Sequence, residues 1–526
     1  MSPITGTTRL RHLASAISLG VLALCGAASA QVAPTEATIT VHADQPGAHI
    51  NREVFTQFAE HLGHGIYEGI WVGPGSSIPN TKGYRTDVID ALRAIKVPVV
   101  RWPGGCFADE YHWRDGIGAR GKRPVKVNTH WGGVTEPNSF GTHEYMDFVD
   151  LIGAKPYVSG NVGDAPPREM AEWIEYMTSP TGSSLAKERA ANGHPAPWAL
   201  PYFGIGNELW GCGGNMRPEF AADETRRYAT FVKAPANTKI MKFASGANVD
   251  DYNWTDTMMR IAGDRIDGLT LHYYTFPGSW EHKGSATDFD EAGWASTLKN
   301  TLKMEDLVTR HAAIMDKYDP GKRVWLVVDE WGTWYDPTPG TNPGFLRQQN
   351  TLRDALVAAI NLNIFAHHAD RVKMTAIAQM VNVLQAMILT DGKRMVKTPT
   401  YHVFDMYLPW QDATSIPIDI KSPWYNKDEW TMPSVSASAV RDVAGQVHVG
   451  LANLDPNKPV TVSARLDGVT ATSVGGRVLT AGAMNALNDF DHPNALVPQP
   501  FTGASLAEGT LSVTLPPKSV VVLDLK

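Results

Sequence analysis

Two carboxylates stand where apolar, strand-like runs of the sequence end. Glu208 follows the run that opens GIGNELWGCG (204–213), and Glu330 ends the apolar run of VWLVVDEWGTWY (324–335). Two such groups can divide chemical work, because one can stay protonated as an acid while the other stays ionised. Hydrolysis of a glycosidic bond uses a pair of this kind. A single glutamate is more often a solvated surface group, so the hypothesis depends on the pair.

Eight short apolar runs between about residues 52 and 385 alternate with segments of helical periodicity. The runs are VFTQFAE (54–60), VPVVRWPGG (97–105), KPYVSGNVG (155–163), PYFGIGNE (201–208), MKFASGAN (241–248), GLTLHYY (268–274), VWLVVDE (324–330) and VKMTAIAQ (372–379). Apolar strands joined by helices indicate a parallel sheet covered on both faces. Eight such units predict an α/β fold, a (β/α)8 TIM barrel. A doubly wound open sheet is the alternative, although no GxGxxG or GxxxxGK[ST] motif follows a first strand.

The segments between the runs carry helix signals. In YRTDVIDALRAIK, the apolar residues Val88, Ile89, Leu92 and Ile95 share one face at helical spacing. Proline is favoured in the first turn of a helix, so Pro167 and Pro218 are each predicted to open one.

The pattern of apolar and polar residues changes after about residue 400. Segments such as SVSASAVRD, VHVGLANLD and KSVVVLDL alternate apolar and polar residues, which is typical of a C-terminal antiparallel β-sandwich. TITVH (38–42) is an isolated strand before the barrel that can pair with this sandwich. The predicted divisions are a signal peptide (1–30), an N-terminal strand joining the sandwich (31–50), the barrel (51–400) and the sandwich (401–526).

Catalytic residues of such barrels lie at the C-terminal ends of the strands, so the polar residues that close each run are candidates. They are Glu60, His61, Arg101, Trp102, Cys106, Asn161, Asp164, Asn207, Glu208, His272, Tyr273, Tyr274, Asp329, Glu330 and Gln379. A ring of acids, amides and aromatics suits a polyhydroxylated ligand. Asn207 can hydrogen-bond a sugar hydroxyl beside the reacting carbon, and Tyr274 can orient a nucleophile. A metal site from His61 and His272 with a glutamate is the weaker alternative, because no HExxH motif supports it.

Charge and the N-terminus limit the partners. The net charge is −7, and no Lys/Arg block appears, so neither nucleic acid nor anionic lipid is an expected partner.

Arg9 and Arg11 precede the apolar run LASAISLGVLALCGAASA, which predicts an export signal cleaved near Ala30–Gln31. We therefore expect a soluble, exported protein, periplasmic or secreted. Its oligomeric state stays open, with a homo-oligomer possible.

Without the signal, two cysteines remain, Cys106 and Cys212. Two cysteines exclude a scaffold built on several disulfides. They either form one bridge or stay free and buried, because bridging depends on a distance that the sequence does not provide.

Several long motifs occur together in order. They are FTQFAEHLGHGIYEGIW, VVRWPGGCFADEYHWRDGIG, GIGNELWGCGGNMRPEF, VVDEWGTWY and AIAQMVNVLQAMILT. Together they resemble glycoside hydrolase family 51, whose best-known members are α-L-arabinofuranosidases, over nearly all of the chain from residue 38. The resemblance implies a (β/α)8 barrel with a C-terminal β-sandwich, and a retaining double-displacement mechanism. It implies no metal or cofactor.

The resemblance also implies residue roles. Glu208 in GNE corresponds to the general acid/base, and Glu330 in DEW corresponds to the nucleophile. The implied contacts to the arabinofuranosyl ring are Glu60, Cys106, Asn207, Tyr274 and Gln379. Arg101 and His272 resemble residues that support those contacts, and Trp334 resembles an aromatic at the pocket mouth.

Two loops depart from the family pattern. DPTPGTNPGF after Glu330 is shorter than in many members, and WGCGG after Glu208 is less polar than in several relatives. The expected substrate is therefore arabinoxylan, arabinan or their oligosaccharides, without a preference among them. Alternatives are an endo-acting β-glucanase or xylanase on the same scaffold, and a non-catalytic carbohydrate-binding barrel. The presence of both glutamates argues against the last.

Overall fold

A computed structural model describes residues 35–45, 47–180, 182–235, 238–507 and 509–526. The predicted signal peptide lies outside the described residues. The strands are, in chain order, β1 (Thr35–His42), β2 (Thr56–Phe58), β3 (Asn80–Thr81), β4 (Tyr84–Arg85), β5 (Val99–Trp102), β6 (Lys126–Val127), β7 (Thr135–Glu136), β8 (Lys155–Gly160), β9 (Tyr202–Ile205), β10 (Met241–Asn248), β11 (Gly268–Thr275), β12 (Trp325–Thr333), β13 (Val372–Ile377), β14 (Ile388–Asp391), β15 (Arg394–Lys397), β16 (Thr414–Ile416), β17 (Ile418–Lys421), β18 (Trp424–Lys427), β19 (Trp430–Pro433), β20 (Val435–Arg441), β21 (Val447–Asn453), β22 (Val460–Asp467), β23 (Val474–Leu479), β24 (Gln499–Pro500), β25 (Ala504–Ala507), β26 (Thr510–Leu515) and β27 (Ser519–Leu525).

Helices alternate with the strands in the first part of the chain. The α-helices are α1 (Thr86–Ala94), α2 (Thr142–Ile152), α3 (Pro167–Thr178), α4 (Ser184–Ala191), α5 (Pro218–Ala229), α6 (Tyr252–Ala262), α7 (Glu291–Thr301), α8 (Lys303–Tyr318), α9 (Leu352–His367) and α10 (Pro399–Met406). Short 3-10 helices span Arg52–Phe55, Cys106–Glu110, Trp113–Gly116, Arg120–Lys122, Pro343–Phe345 and Leu408–Trp410. Pro167 and Pro218 open α3 and α5 as predicted.

The eight predicted strands close into a parallel barrel in the order β10-β11-β12-β13-β2-β5-β8-β9, which confirms the predicted (β/α)8 fold. The predicted apolar face of α1 is buried, because it packs onto the barrel. Large side chains from six strands fill the lower barrel interior, namely Val99, Tyr157, Tyr202, Phe243, Val327 and Met374. This plug leaves space for a ligand at the opposite end, where the strands terminate.

A bulge in β12 affects both of its neighbours. Between the pairs Thr270↔Val327 and His272↔Glu330, β12 has one residue more than β11. It also has one residue more than β13 beyond Val328. In a regular strand, consecutive side chains point to opposite faces, whereas an extra residue re-aims a side chain. The bulge therefore lets two consecutive acids, Asp329 and Glu330, both reach the barrel interior.

The C-terminal region forms two facing sheets with the orders β17-β1-β22-β26-β25 and β16-β20-β21-β27-β23-β24. Pairing is antiparallel except between β1 and β22, which run parallel. The strand β1 lies between β17 and β22, so the isolated early strand belongs to a sheet of the sandwich. The boundaries at residues 50 and 400 stay predictions. Within the part of the chain that the structure describes, each helix is too short or too polar to cross a membrane.

Candidate active site

A cavity of about 790 Å³ opens at the C-terminal ends of the barrel strands. Most of the predicted site residues line it, namely Glu60, Cys106, Glu208, His272, Tyr274, Glu330, Trp334 and Gln379. Arg101 and Asn207 are buried beside the cavity. The cavity therefore brings together residues that come from six of the eight barrel strands, or from the loops that follow those strands.

Glu330 is held by two donors, one on the neighbouring strand β11 and one on β5 across the barrel. The Arg101 guanidinium donates to its Oε1 at 2.8 Å, and the Tyr274 hydroxyl donates to its Oε2 at 2.8 Å. A charged donor and a phenol, each on a rigid strand, fix both carboxylate oxygens.

Glu208 is held differently. It lies in the loop after β9 with φ of 42°, a left-handed conformation that costs energy for a residue with a Cβ and occurs often at functional sites. His272 Nδ1 lies 2.8 Å from its Oε1. The sulfurs of Cys106 and Cys212 lie 3.8 Å and 3.5 Å from its Oε2. Burial raises the pKa of Glu208, and nearby Glu330 raises it further.

The two candidate catalytic carboxylates are close to each other. One oxygen of Glu208 and one of Glu330 lie within 4.8 Å. An inverting site needs carboxyl groups about 6.5–9.5 Å apart to admit a water molecule, whereas a retaining site has them about 5–5.5 Å apart. This close approach fits the retaining arrangement.

Arg101, His272 and Asp329 form the buried support of the pair. The Asp329 carboxylate accepts a hydrogen bond from the Tyr157 hydroxyl at 2.9 Å, lies 3.3 Å from Arg101 Nε, and lies 3.0 Å from His272 Nε2. Burial alone would lower the pKa of His272, but Glu330, Asp329 and Glu208 raise it to about 10. His272 is therefore an imidazolium at neutral pH, and both of its nitrogens donate.

Glu60 also lines the cavity. Its Oε1 accepts from the backbone N–H groups of Gly105 and Phe107 and from Trp131 Nε1, at 2.9–3.1 Å. Its Oε2 accepts from Gln379 Nε2 at 2.9 Å. Burial, followed by nearby Glu330, raises the pKa of Glu60 to about 7 against the effect of these donors.

Four acids and two cations make up the centre of the site. Glu60, Asp329 and Glu330 are buried and Glu208 is partly exposed, and Arg101 and His272 lie among them. Burial of acids that outnumber their cations is unfavourable, and it raises the pKa values of Glu208 and Glu60.

A glycine allows the two walls to approach each other. A Cβ placed on Gly105 would lie only 2.8 Å from Glu330 Oε1, so a side chain there would displace the carboxylate. The GG pair before Cys106 therefore lets backbone approach the reacting groups closely.

Asn207 lies behind the lining of the cavity. Its Oδ1 accepts from Arg101 Nη2 at 2.6 Å, and its backbone N–H donates to Asp109 Oδ2 at 2.7 Å. Direct contact of Asn207 with a sugar therefore stays a prediction. Asp109 also accepts from the N–H groups of Val162 and Gly163, so it ties the ends of β8 and β9 together. Burial raises the pKa of Asp109 to about 7.

Cys106 and Cys212 form a disulfide across a sequence separation of 106 residues, which decides the question that the sequence left open. The bridge joins the loop after β5 to the loop after β9. Cys212 Sγ also lies 3.9 Å from Asn207 Nδ2.

An aromatic rim surrounds the entrance. Trp334 packs edge-on against Tyr274 and against Trp280, and Lys283 Nζ lies 4.2 Å from the Trp280 ring centre. Trp280 is 57% exposed, so its ring is available to a ligand. The sequence did not predict Trp280, Trp131 and Asp109 as site residues. Each of them lies too far along the chain from an apolar run to be counted with the end of a strand.

Some polar residues at strand ends have other partners. His61 uses Nδ1 with Glu136 and accepts from Trp102 Nε1 at Nε2, so its two nitrogens are engaged outside the cavity lining. Asn161 bonds to Asp164, which lines a separate small cavity. The metal alternative through His61 therefore has no geometric support.

Comparisons with known proteins show the family to which the chain is similar. Residues 91–291 match the family described as "Alpha-L-arabinofuranosidase 1 domain", and residues 329–519 match "Alpha-L-arabinofuranosidase C-terminal domain". The crystal structure of the GH51 arabinofuranosidase from Xanthomonas axonopodis pv. citri is similar, with 59% identity and a TM-score of 0.93 over 93% of this chain and all of that one.

The names of two curated relatives state the cellular location of those proteins. One, from Bacteroides ovatus, is named "Intracellular exo-alpha-L-arabinofuranosidase" and is 50% identical over 97% of this chain and 99% of its own length. Another, from Streptomyces lividans, is named "Intracellular exo-alpha-(1->5)-L-arabinofuranosidase" and is 28% identical over 89% of this chain and 72% of its own.

These names overturn the prediction of export. A basic head and a short apolar run satisfy the charge and hydropathy of an export signal, but neither property identifies the compartment in which relatives work. Residues 1–30 lie outside the described part of the chain, so the structure adds nothing to that interpretation.

Proposed function

Because the chain belongs to the α-L-arabinofuranosidases of glycoside hydrolase family 51, which are retaining enzymes, we propose that it acts as an exo-enzyme with Glu208 as acid/base and Glu330 as nucleophile. Its proposed substrates are terminal non-reducing α-L-arabinofuranosyl residues of arabinoxylan, arabinan or their oligosaccharides. The observation that carries the proposal is the close carboxylate pair in unlike surroundings: two donors hold Glu330, while burial raises the pKa of Glu208.

In the first step, the ionised Glu330 attacks the anomeric carbon of arabinose. The bond from that carbon to the glycosidic oxygen breaks, and the Glu208 proton moves to this oxygen, so that the aglycone leaves as an alcohol. The product is an ester between Glu330 and arabinose. Since His272 donates to Oε1 of Glu208, the transferable proton belongs on Oε2.

In the second step, Glu208 is ionised and acts as a base. It takes a proton from water, the water oxygen attacks the anomeric carbon, and the ester bond to Glu330 breaks. Two inversions give arabinose with its original configuration. Arg101 and Tyr274 receive the Glu330 carboxylate again, so the site returns to its starting charge.

The cavity walls support recognition of one sugar ring. Glu60 and Gln379 present oxygen and nitrogen atoms fixed by hydrogen bonds, which suits the several hydroxyl groups of arabinofuranose. Cys106 and Tyr274 lie on the same lining. The aromatic rim of Trp334 and Trp280 lies toward the entrance, where the rings of an aglycone could stack.

The location of the relatives supports short substrates. The relatives from Bacteroides ovatus and Streptomyces lividans are named intracellular, and a polymer outside the cell does not reach an enzyme inside it. We therefore place oligosaccharides ahead of intact polysaccharides among the proposed substrates.

Product analysis tests the exo activity. The enzyme is incubated with singly and doubly substituted arabinoxylan oligosaccharides and with linear arabino-oligosaccharides, and products are separated over time. Free arabinose as the first product, with the remaining chain otherwise intact, is the expected result. Early release of xylo-oligosaccharides or cello-oligosaccharides would instead identify an endo-acting xylanase or β-glucanase.

A further inference from the structure

The Cys106–Cys212 bridge lies against one oxygen of the proposed acid/base. Both sulfurs lie within 3.8 Å of Glu208 Oε2, while His272 occupies Oε1. A disulfide sulfur carries no hydrogen and cannot donate a hydrogen bond, whereas a thiol can. In the bridged enzyme, therefore, the two sulfurs can only accept a hydrogen bond from Glu208 Oε2. Neither sulfur can donate one to Oε2 and so compete with a proton on that oxygen.

We propose that the bridge is a positioning element that keeps Oε2 of Glu208 protonated for acid catalysis, and that its reduction by a dithiol weakens acid assistance. The inference rests on the proposed role of Glu208. In the reduction, the dithiol supplies two electrons and two protons. The S–S bond breaks, two S–H bonds form, and the dithiol becomes a cyclic disulfide.

The reduced state places two S–H donors next to Oε2. A donor to a carboxylate stabilises its ionised form, so Glu208 loses its proton at a lower pH than in the bridged enzyme. The other groups that face Glu208 are unchanged by the reaction. They are His272 and Tyr274 of β11, Glu330 of β12 and Arg101 of β5.

The loop that carries Glu208 has backbone bonds that do not depend on the bridge. Gly211 and Gly213 donate to the Glu208 carbonyl at 2.7 Å and 3.1 Å, and Met216 donates to the Leu209 carbonyl at 2.7 Å. Asp109 anchors the preceding residue, Asn207. Reduction therefore leaves the fold of this loop in place and changes mainly the surroundings of the carboxyl group.

The bridge is open to a small reductant. Both cysteines are partly exposed, and Cys106 lines the cavity. Disulfides inside cells are usually transient and redox-responsive because the cytosol keeps thiols reduced. For a chain with two relatives that are named intracellular, a bridge at the reacting carboxyl group couples activity to the thiol–disulfide balance.

The test compares the oxidised and reduced forms of one protein. A Cys25→Ser background removes the third cysteine of the sequence, so that titrated thiols belong to residues 106 and 212. Each form is assayed across pH on methyl α-L-arabinofuranoside, a poor leaving group, and on the 2,4-dinitrophenyl glycoside, a good one.

For the reduced form, with two thiols titrated, we expect the alkaline limb of kcat/KM on the methyl glycoside to move down by on the order of one pH unit. At pH values above the alkaline limb, activity on this substrate then falls by about tenfold, while activity on the dinitrophenyl glycoside changes less than about twofold, because that leaving group needs no proton. Superimposable pH profiles for the two forms would overturn the inference.

A Cys106→Ala/Cys212→Ala variant separates thiol donation from the loss of the link. It has neither a bridge nor an S–H donor, so its alkaline limb should stay at the position of the oxidised enzyme and should not respond to the dithiol. A limb displaced as in the reduced enzyme would show that thiol donation is not the cause.

The same assays keep this inference apart from the assignment of Glu208. If Glu208 were not the acid/base, the oxidised Glu208→Ala variant would lose activity equally on both glycosides. If only the inference were wrong, that variant would still discriminate between leaving groups, while oxidised and reduced enzyme behaved alike.

Discussion

The two glutamates of the site have opposite kinds of support. Glu330 lies within strand β12, and both of its oxygens accept from donors on other barrel strands, one of them the Arg101 guanidinium. Glu208 lies in a loop with a left-handed backbone, and one of its oxygens faces two disulfide sulfurs. The proposed nucleophile is thus tied to fixed donors, whereas the proposed acid/base has one oxygen free of strong donors.

The largest expected effect comes from removing the proposed nucleophile. Glu330→Ala should lower kcat/KM on an aryl arabinofuranoside by on the order of 10⁵-fold, because the covalent step loses its attacking atom. Glu429→Ala, at an exposed turn between β18 and β19, is the matched control and should leave the rate unchanged. A loss below tenfold for Glu330→Ala would contradict its assignment.

Removing the proposed acid/base should separate substrates by leaving group. For Glu208→Ala, we expect kcat/KM to fall roughly 10³-fold on the methyl glycoside and less than about tenfold on the dinitrophenyl glycoside, because only the first aglycone needs a proton. Added azide should restore turnover of the dinitrophenyl substrate by attacking the arabinosyl ester without a base. Equal losses on both substrates would remove the contrast between the two glutamates.

A smaller effect is expected from one donor to the nucleophile. Tyr274→Phe deletes the hydroxyl that donates to Glu330 Oε2 and keeps the ring packed against Trp334. The loss of one hydrogen bond to a charged group should lower kcat roughly 10- to 100-fold. Tyr318→Phe on the exposed end of α8 is the control, and kinetics of both variants on one aryl glycoside decide the result.

The smallest effect concerns stability and pH. The pKa of His272 is raised from 6.5 to about 10 by its acidic neighbours, so its ion pairs contribute fully below pH 6.5, and that contribution is lost as the pH rises through about 10. His272→Gln should therefore reduce the fall in Tm between these pH values by about 1–3 °C. His492→Gln, an exposed histidine, should keep the wild-type slope. Parallel slopes for wild type and His272→Gln would contradict the charged state of His272.

Much of the fold followed from local patterns. The eight apolar runs became the eight barrel strands, because each run is continuous and each is separated from the next by helical or turn signals. The strand ends also brought most of the site residues to one cavity, because parallel strands of a barrel all end at the same side.

Other parts depended on geometry that no local pattern carries. Alternation along β12 would have turned Asp329 and Glu330 to opposite faces, and only the bulge allows both inside. Trp131 reaches Glu60 across 71 residues of sequence, and Asn207 turned behind the lining because Arg101 and Asp109 hold it. The disulfide likewise needed the distance between two loops, which sequence spacing does not contain.

The position of β1 has a consequence for the synthesis of the chain. Val41 pairs with Ile418 on one side and with Leu466 on the other. The ribosome therefore synthesises β1 before any strand of the barrel, and it synthesises both partners of β1 only after the barrel. At ~5–20 residues per second, β1 waits roughly 20–80 s for these partners. During that time its apolar face and both of its edges are unpaired, and they are surfaces on which a chaperone could act or on which nascent chains could associate. The earliest strand of the described chain is therefore among the last to reach its native neighbours.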